Sequence, residues 1–460
     1  MAFQEIEHIL HFLKHYASFP SVSCDTAYEQ GMCDTRRYIS QFLKQESFDV
    51  QEISTPKHPI LLASYSKSPQ APSLLLYGHY DVQPPEPLEL WQSSPFTPTI
   101  RDDILYGRGI ADNKGAHTIL LHALCQTLHK NPSFPWNIRV LFEGEEEIGS
   151  PSMKGFLKEY GDSIRSDLFL LSDTWTCDEE HLSLTTGLRG LVTLECEIST
   201  ATLDLHSGMG GPMPNAAQVL AEICAQLHDA QGKVLVEDFY RDVQKPSAEE
   251  LASLQLCPLS EDAIRRDTGI EHFAPHEHSV LYAQKFLPTL EINGIHSGWE
   301  GQGVKTIIPA KAKAKISCRL VPNQSPEHIS QQLSSRLRQL CPPWAHMHIA
   351  SIPQGKAYSF PLEDSQDKHS SHPRLSQAFH MLQAATRIIM GTPLLLMREG
   401  GSIPFISTIQ ELTGMNPLML GFFTQQNQLH APNENLSLQM IDRVYRVFCR
   451  FFEQLSNMES

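Results

Sequence analysis

Short apolar runs set between amphipathic helical stretches constrain this chain more than any other feature. Leu74–Tyr77, Asn137–Phe142 and Asp167–Leu171 each read as a brief buried strand. Between and before them lie helical patterns: residues 3–16, with Phe3, Ile6, Ile9, Leu10 and Leu13 on one face; residues 27–46; and Lys114–Lys130, rich in Ala, Leu and His. Strands that are apolar throughout are buried on both faces. Strands alternating with helices therefore predict an α/β fold with a mainly parallel mixed sheet flanked by helices. Active groups in such sheets gather at the carboxyl ends of the strands. There the chain carries Gly78-His79-Tyr80-Asp81, the run Glu143-Gly144-Glu145-Glu146-Glu147, and Asp173 after Leu170-Leu171-Ser172.

The pattern changes near Gly187-Leu188-Arg189-Gly190. Leu191–Ser199 and Lys311–Leu320 alternate like half-exposed strands, and Asn215–Leu227 and Ser325–Leu340 read as helices. A second α+β unit is predicted to interrupt the first. Residues 1–187 and 366–460 would then make one domain and 188–365 an inserted one. The polar stretch 229–280 shows little periodicity and suggests no role.

At 460 residues the chain is too long for one ordinary core. A formal net charge of −16 argues against nucleic acid or anionic membrane as a partner. No apolar run approaches the roughly 20 residues of a membrane span. The N-terminus lacks the basic start and apolar core of a signal peptide. The ten cysteines are scattered, with no C-x-x-C pair. That speaks against a disulfide scaffold and against a cysteine-based zinc site, and for reduced thiols in a cytoplasmic protein.

Each candidate group also has an ordinary structural reading. A histidine after a strand is commonly structural, but His79 has Asp81 on the same side of an extended chain, and a carboxylate beside a ligating imidazole fixes its tautomer. Asp112, in Gly107-Arg108-Gly109-Ile110-Ala111-Asp112-Asn113-Lys114-Gly115, reads equally as a helix cap. The glycine spacing fits neither common nucleotide-binding loop. Three adjacent glutamates are usually a solvated run, yet these close a core strand, where like charges are costly without cations. Asp173 again follows an apolar run, and His430 alone carries no weight. Taken together, the donors suit zinc, manganese or cobalt, with one carboxylate bridging two ions.

In this order the segments resemble the di-zinc amidohydrolases and peptidases of the acetylornithine deacetylase, succinyl-diaminopimelate desuccinylase and carboxypeptidase G superfamily. They are most similar to its cytosolic nonspecific and carnosine-type dipeptidases. The resemblance rests on Gly78–Pro84, Leu203–Gly208, Lys305–Pro309, Arg319–Asn323 and Arg398–Pro404. It implies two divalent ions per subunit, zinc foremost. His79 and Asp173 would hold one, Glu147 and His430 the other, and Asp112 both. Asp81 would orient His79, and Glu146 would act as general base, an assignment Glu145 leaves ambiguous by one position. His206, Thr306, Arg319 and Ser402 match substrate-binding positions, although a turn His, a strand Thr, a surface Arg and a Gly-Gly-Ser turn are their plain readings. The inserted domain becomes a lid and dimerisation domain, with His206 reaching the site of a partner subunit in a homodimer. The activity implied is hydrolysis of dipeptides or small peptides. The alternatives are deacylation or desuccinylation of N-acyl amino acids and, with every ligand position retained, less readily an inactive binding protein.

Overall fold

The computed structural model describes residues 2–362, 372–401 and 403–458. Its largest sheet has nine strands. From one edge the order is Asp49–Ile53, Ile60–Tyr65, Asn137–Glu143, Ser73–His79, Leu168–Trp175, Pro417–Phe423, Ser183–Leu188 and Tyr358–Ser359, with Leu395–Arg398 also paired to Ser183–Leu188. The sheet is mixed. Ser73–His79 runs parallel to both its neighbours, and Pro417–Phe423 parallel to Leu168–Trp175. The pairs at the Asp49 edge, and those of Ser183–Leu188 with Pro417–Phe423 and Tyr358–Ser359, are antiparallel.

The expected strands are present: Lys311–Leu320 has the expected bounds, and Ser73–His79, Asn137–Glu143, Leu168–Trp175 and Gly190–Ser199 run past theirs. The most consequential extension is Leu168–Trp175, which places Asp173 inside a strand and not after it. Helix Lys114–Lys130 is buried along most of its length and packs against helix Leu438–Leu455, whose apolar face includes Ile441, Val444, Phe448, Phe451 and Phe452. Gly78 lets this layer approach closely: a Cβ there would lie 2.7 Å from the Cβ of His117.

A second sheet, in the order Thr289–Ser297, Lys311–Leu320, Gly190–Ser199, His346–Gly355, is wholly antiparallel. Its alternation is clear. Val192, Leu194, Cys196 and Ile198 meet Ala312, Ala314, Ile316 and Cys318 in a separate core beneath helices Ala216–Ala225 and Pro326–Leu340. The other face carries Glu195, Glu197, Lys313 and Lys315, with Lys313 Nζ 2.8 Å from Glu197. Such cross-strand pairs belong to a solvated face.

The stretch 229–280 holds more structure than its polarity suggests: helices Ala248–Leu256 and Glu261–Thr268, followed by Val280–Phe286. Ala248–Leu256 is short, starts on a Ser247/Glu250 capping box, and packs on strand Leu395–Arg398 of the large sheet. Buried Glu250 pairs with buried Arg398 at 2.8 Å, and Ser253 Oγ accepts the Leu396 amide at 2.9 Å.

Candidate metal centre

Three neighbouring strands and two loops deliver the donors. Ser73–His79 ends on His79, whose side chain is fully buried. Leu168–Trp175 presents Asp173. The strand Asn137–Glu143 leads into a short turn, Glu146–Ile148, that carries both glutamates. Asp112 precedes helix Lys114–Lys130 but does not cap it, because the cap position belongs to Asn113, whose side chain makes no capping bond. His430 comes from an exposed loop after Pro417–Phe423, in the left-handed backbone region at φ 60°.

His79, Asp112 and Asp173 bring donor atoms within 4.8 Å of one another, and so do Asp112, Glu147 and His430. Asp112 belongs to both sets. Its Oδ1 lies 3.1 Å from His79 Nε2 and its Oδ2 lies 2.9 Å from His430 Nε2. Asp173 Oδ2 is 3.7 Å from His79 Nε2, and Glu147 Oε2 is 3.3 Å from His430 Nε2. A carboxylate facing two imidazoles with opposite oxygens is the geometry of a bridging ligand.

The electrostatics agree. Burial pushes Glu147 and Asp173 well above the usual carboxylate range, and the neighbouring Asp112 charge adds to it. Burial opposes the charged form of Asp112 too, but hydrogen bonds with His430 and His79 outweigh it and hold that acid down. Burial likewise opposes the His79 imidazolium, yet hydrogen bonds to Asp112 and Asp81 raise it well above its ordinary value. His430 is raised chiefly by its bond to Asp112. Protons on two imidazoles thus stand where divalent cations would balance the carboxylates. Glu147 Oε1 is buried without a hydrogen-bond partner, a lone pair directed at nothing in the protein. The donor set fits two cations.

Partners separate the three adjacent glutamates. Glu145 accepts bonds from Thr55 Oγ1, the His58 amide, and the Ser152 amide and hydroxyl at 2.9–3.0 Å, which makes it a structural anchor. Glu147 joins the His430 set and accepts Gln83 Nε2 at 2.8 Å. Glu146 lines a cleft of about 280 Å³ with Asp112, Asp173, Trp175, Glu399 and His430. Burial raises its carboxyl to about 7.

Asp81 does more than orient His79. Its backbone oxygen lies 3.1 Å from His79 Nδ1 and its Oδ1 3.4 Å. Its carboxylate also accepts the amides of Glu146 and Glu147, at 3.3 and 3.1 Å. Sequence reasoning missed two further groups. Glu434, wholly buried, accepts Arg108 Nη1 at 2.7 Å and the amides of Gly109, Ala111 and Asp112 at 2.9–3.0 Å, which shapes the Asp112 loop. Asn113 Nδ2 holds Asp173 Oδ1 at 2.7 Å. The only sequence hint of Glu434 was its place in the His430 segment.

The remaining predicted residues are not in this cluster. His206 and Thr306 are exposed beside a two-stranded pairing of Leu205–His206 with Ile307–Ile308, and Arg319 is half-buried on the second sheet near Arg189. None of the three is among the residues lining the cleft. Ser402 lies outside the described residues.

This sequence matches Peptidase family M20/M25/M40 over residues 75–454. The chain belongs to that family. Among curated relatives, it is 28% identical to the Cys-Gly metallodipeptidase DUG1 of Saccharomyces cerevisiae, over 91% of this chain and 89% of that protein. It is 26% identical to the Beta-Ala-His dipeptidase of Rattus norvegicus, over 90% and 83%. Among solved structures, an M20 family metallo-carboxypeptidase of Sulfolobus solfataricus superposes with a TM-score of 0.81 at 25% identity, covering 98% of this chain and 99% of that one. This M20 chain is therefore an enzyme of the metallopeptidase type, with an α/β sheet and a second α+β unit.

Proposed function

We propose that this M20 enzyme is a dipeptidase that hydrolyses the amide bond of dipeptides or small peptides with two divalent cations per subunit, zinc foremost. One observation carries the reading: Asp112 is shared between two donor triads that meet at a cleft. In the proposal His79 and Asp173 hold one ion, Glu147 and His430 the other, and Asp112 both. Bound there, the cations supply Lewis acidity and lower the pKa of water in the cleft.

The chain's own groups do the rest. Glu146 takes the proton of the attacking water and returns it to the leaving amine. Asp81 fixes the His79 ring and, through two amides, the turn bearing Glu146 and Glu147. Arg319 grips the substrate's terminal carboxylate with parallel hydrogen bonds, and Thr306 and Ser402 bind beside it. His206 stabilises the developing oxyanion from the partner subunit of a homodimer.

Exposed Leu203, Met209, Trp299 and Val304 flank His206 and Thr306 in sequence, which supports a partner there. Residues 188–365 contain the lid, hinged near Arg189 where the chain passes from one sheet to the other. Ten free cysteines support a cytoplasmic setting. Among the described residues, no helix is long and apolar enough to cross a membrane.

The test is a hydrolysis screen of metal-stripped enzyme reloaded with zinc, manganese or cobalt. Free dipeptides are compared with N-acetyl and N-succinyl amino acids. Metal-dependent release of amino acids from dipeptides is expected. Preference for the acylated compounds would replace the reading with a deacylase, and inactivity with every metal would overturn it.

A further inference from the structure

We propose a separate zinc site, built by Cys177, Cys257, His181 and Asp178, that fastens helix Ala248–Leu256 to the loop leaving the Asp173 strand. The loop after Trp175 brings donor atoms of Cys177, Asp178 and His181 within 4.8 Å of one another. A tight turn sets them there. Asp178 Oδ1 accepts the amides of Glu180 and His181 at 3.0 and 2.9 Å and lies 2.9 Å from His181 Nδ1. Thr176 Oγ1 closes the turn on His181 O at 2.9 Å.

The fourth donor comes from a distant element. Cys257 is the C-terminal cap of helix Ala248–Leu256, its amide bonded to Ser253 O at 3.1 Å. Cys257 and Cys177 pack together against Leu395 and Met397, both largely buried, and their thiols are hydrogen-bonded. Cys177, Asp178 and His181 are already gathered and Cys257 is hydrogen-bonded to Cys177, so a small inward movement of Cys257 would complete a set of two sulfurs, an imidazole and a carboxylate, which suits zinc. Zinc takes cysteine as the thiolate, so metal binding displaces the thiol protons.

A disulfide is the rival use of two adjacent thiols, and it would make no use of the imidazole and carboxylate gathered beside Cys177. No C-x-x-C spacing marks the site, which is why the sequence argued against a cysteine-based one. The helix it would secure is tied elsewhere by Glu250 to Arg398 and by Ser253 to Leu396. The proposed ion thus holds shape and takes no part in hydrolysis.

The test uses the full-length enzyme as purified under reducing conditions. Elemental analysis should show about one fewer metal ion per chain in the double variant Cys177→Ser, Cys257→Ser than in the parent. The cobalt-substituted parent should display thiolate-to-cobalt charge transfer in the near ultraviolet, and so should His430→Ala, which lacks a ligand of the hydrolytic centre. The double variant should not. Should it fail to fold, His181→Ala alone should weaken retention of the thiolate-bound ion by about tenfold or more. Unchanged metal content together with no charge-transfer band would overturn the proposal. So would a Cys177–Cys257 disulfide found by peptide mapping of that same preparation.

Discussion

Adjacent glutamates with different partners predict separable losses. Glu146→Gln keeps the shape and removes the proposed base, so turnover should fall by about 10²–10⁴-fold with metal content unchanged. Glu147→Ala should instead lower metal content by elemental analysis, since its Oε2 is 3.3 Å from His430 Nε2. Glu434→Ala should leave Arg108 buried beside an empty position. The expected cost is about 3–5 kcal/mol in chemical denaturation, with weaker metal retention because the Asp112 loop loses its template. At this scale His79 and the glutamate run were legible in the sequence because their strands end on chemistry that a core does not need, whereas Asp112 and His430 gained weight only beside them. Assigning Glu145, Glu146 and Glu147 was not legible from spacing, because neighbours in a turn point in different directions. Only the Thr55, His58 and Ser152 contacts mark Glu145 as the anchor. Glu434 was invisible for a related reason: everything it binds lies more than three hundred positions away.

Among the elements, long periodic helices and apolar strands were readable, and the short polar helices of 229–280 were not. Ala248–Leu256 presents few apolar positions and is held by a capping box and a buried ion pair, neither of which produces a period. Arg398→Ala should therefore destabilise the protein by about 3–5 kcal/mol, measured by urea unfolding, because Glu250 would be left charged and buried. Helix Lys114–Lys130 makes a second prediction. His122 sits between the rings of Phe12 and Phe42, each 5.0 Å away, with Nε2 unpartnered. Burial depresses its pKa from 6.5 to about 4. A depressed value means that the unfolded chain binds the proton first. The stabilisation is complete above pH 6.5 and drains away as pH falls towards 4. It is worth on the order of 2–3 kcal/mol. His122→Leu should flatten that part of the acid limb, read from unfolding midpoints across the same pH range.

For the whole molecule, the proposed chemistry joins two cores. The proposed metal donors gather on strands of the large sheet and the loops beside them, and the residue proposed to read the substrate carboxylate, Arg319, lies on the other sheet. Arg319→Ala should raise KM for dipeptides far more than for the corresponding amides, with kcat little changed; equal effects on both would remove it from recognition. The presence of two units was legible because the strand pattern switches from continuous to alternating near Arg189. How they face one another was not, since no local pattern encodes an angle between cores.

The position of Pro417–Phe423 also sets a timetable. It lies between Leu168–Trp175 and Ser183–Leu188, two strands close in sequence that do not pair with each other. A growing chain therefore leaves the ribosome with a gap down the middle of its sheet until almost everything has been made, and His430 follows later still. Neither the full sheet nor the full set of proposed donors exists before then, because the segment that closes the sheet is the one that leads into His430.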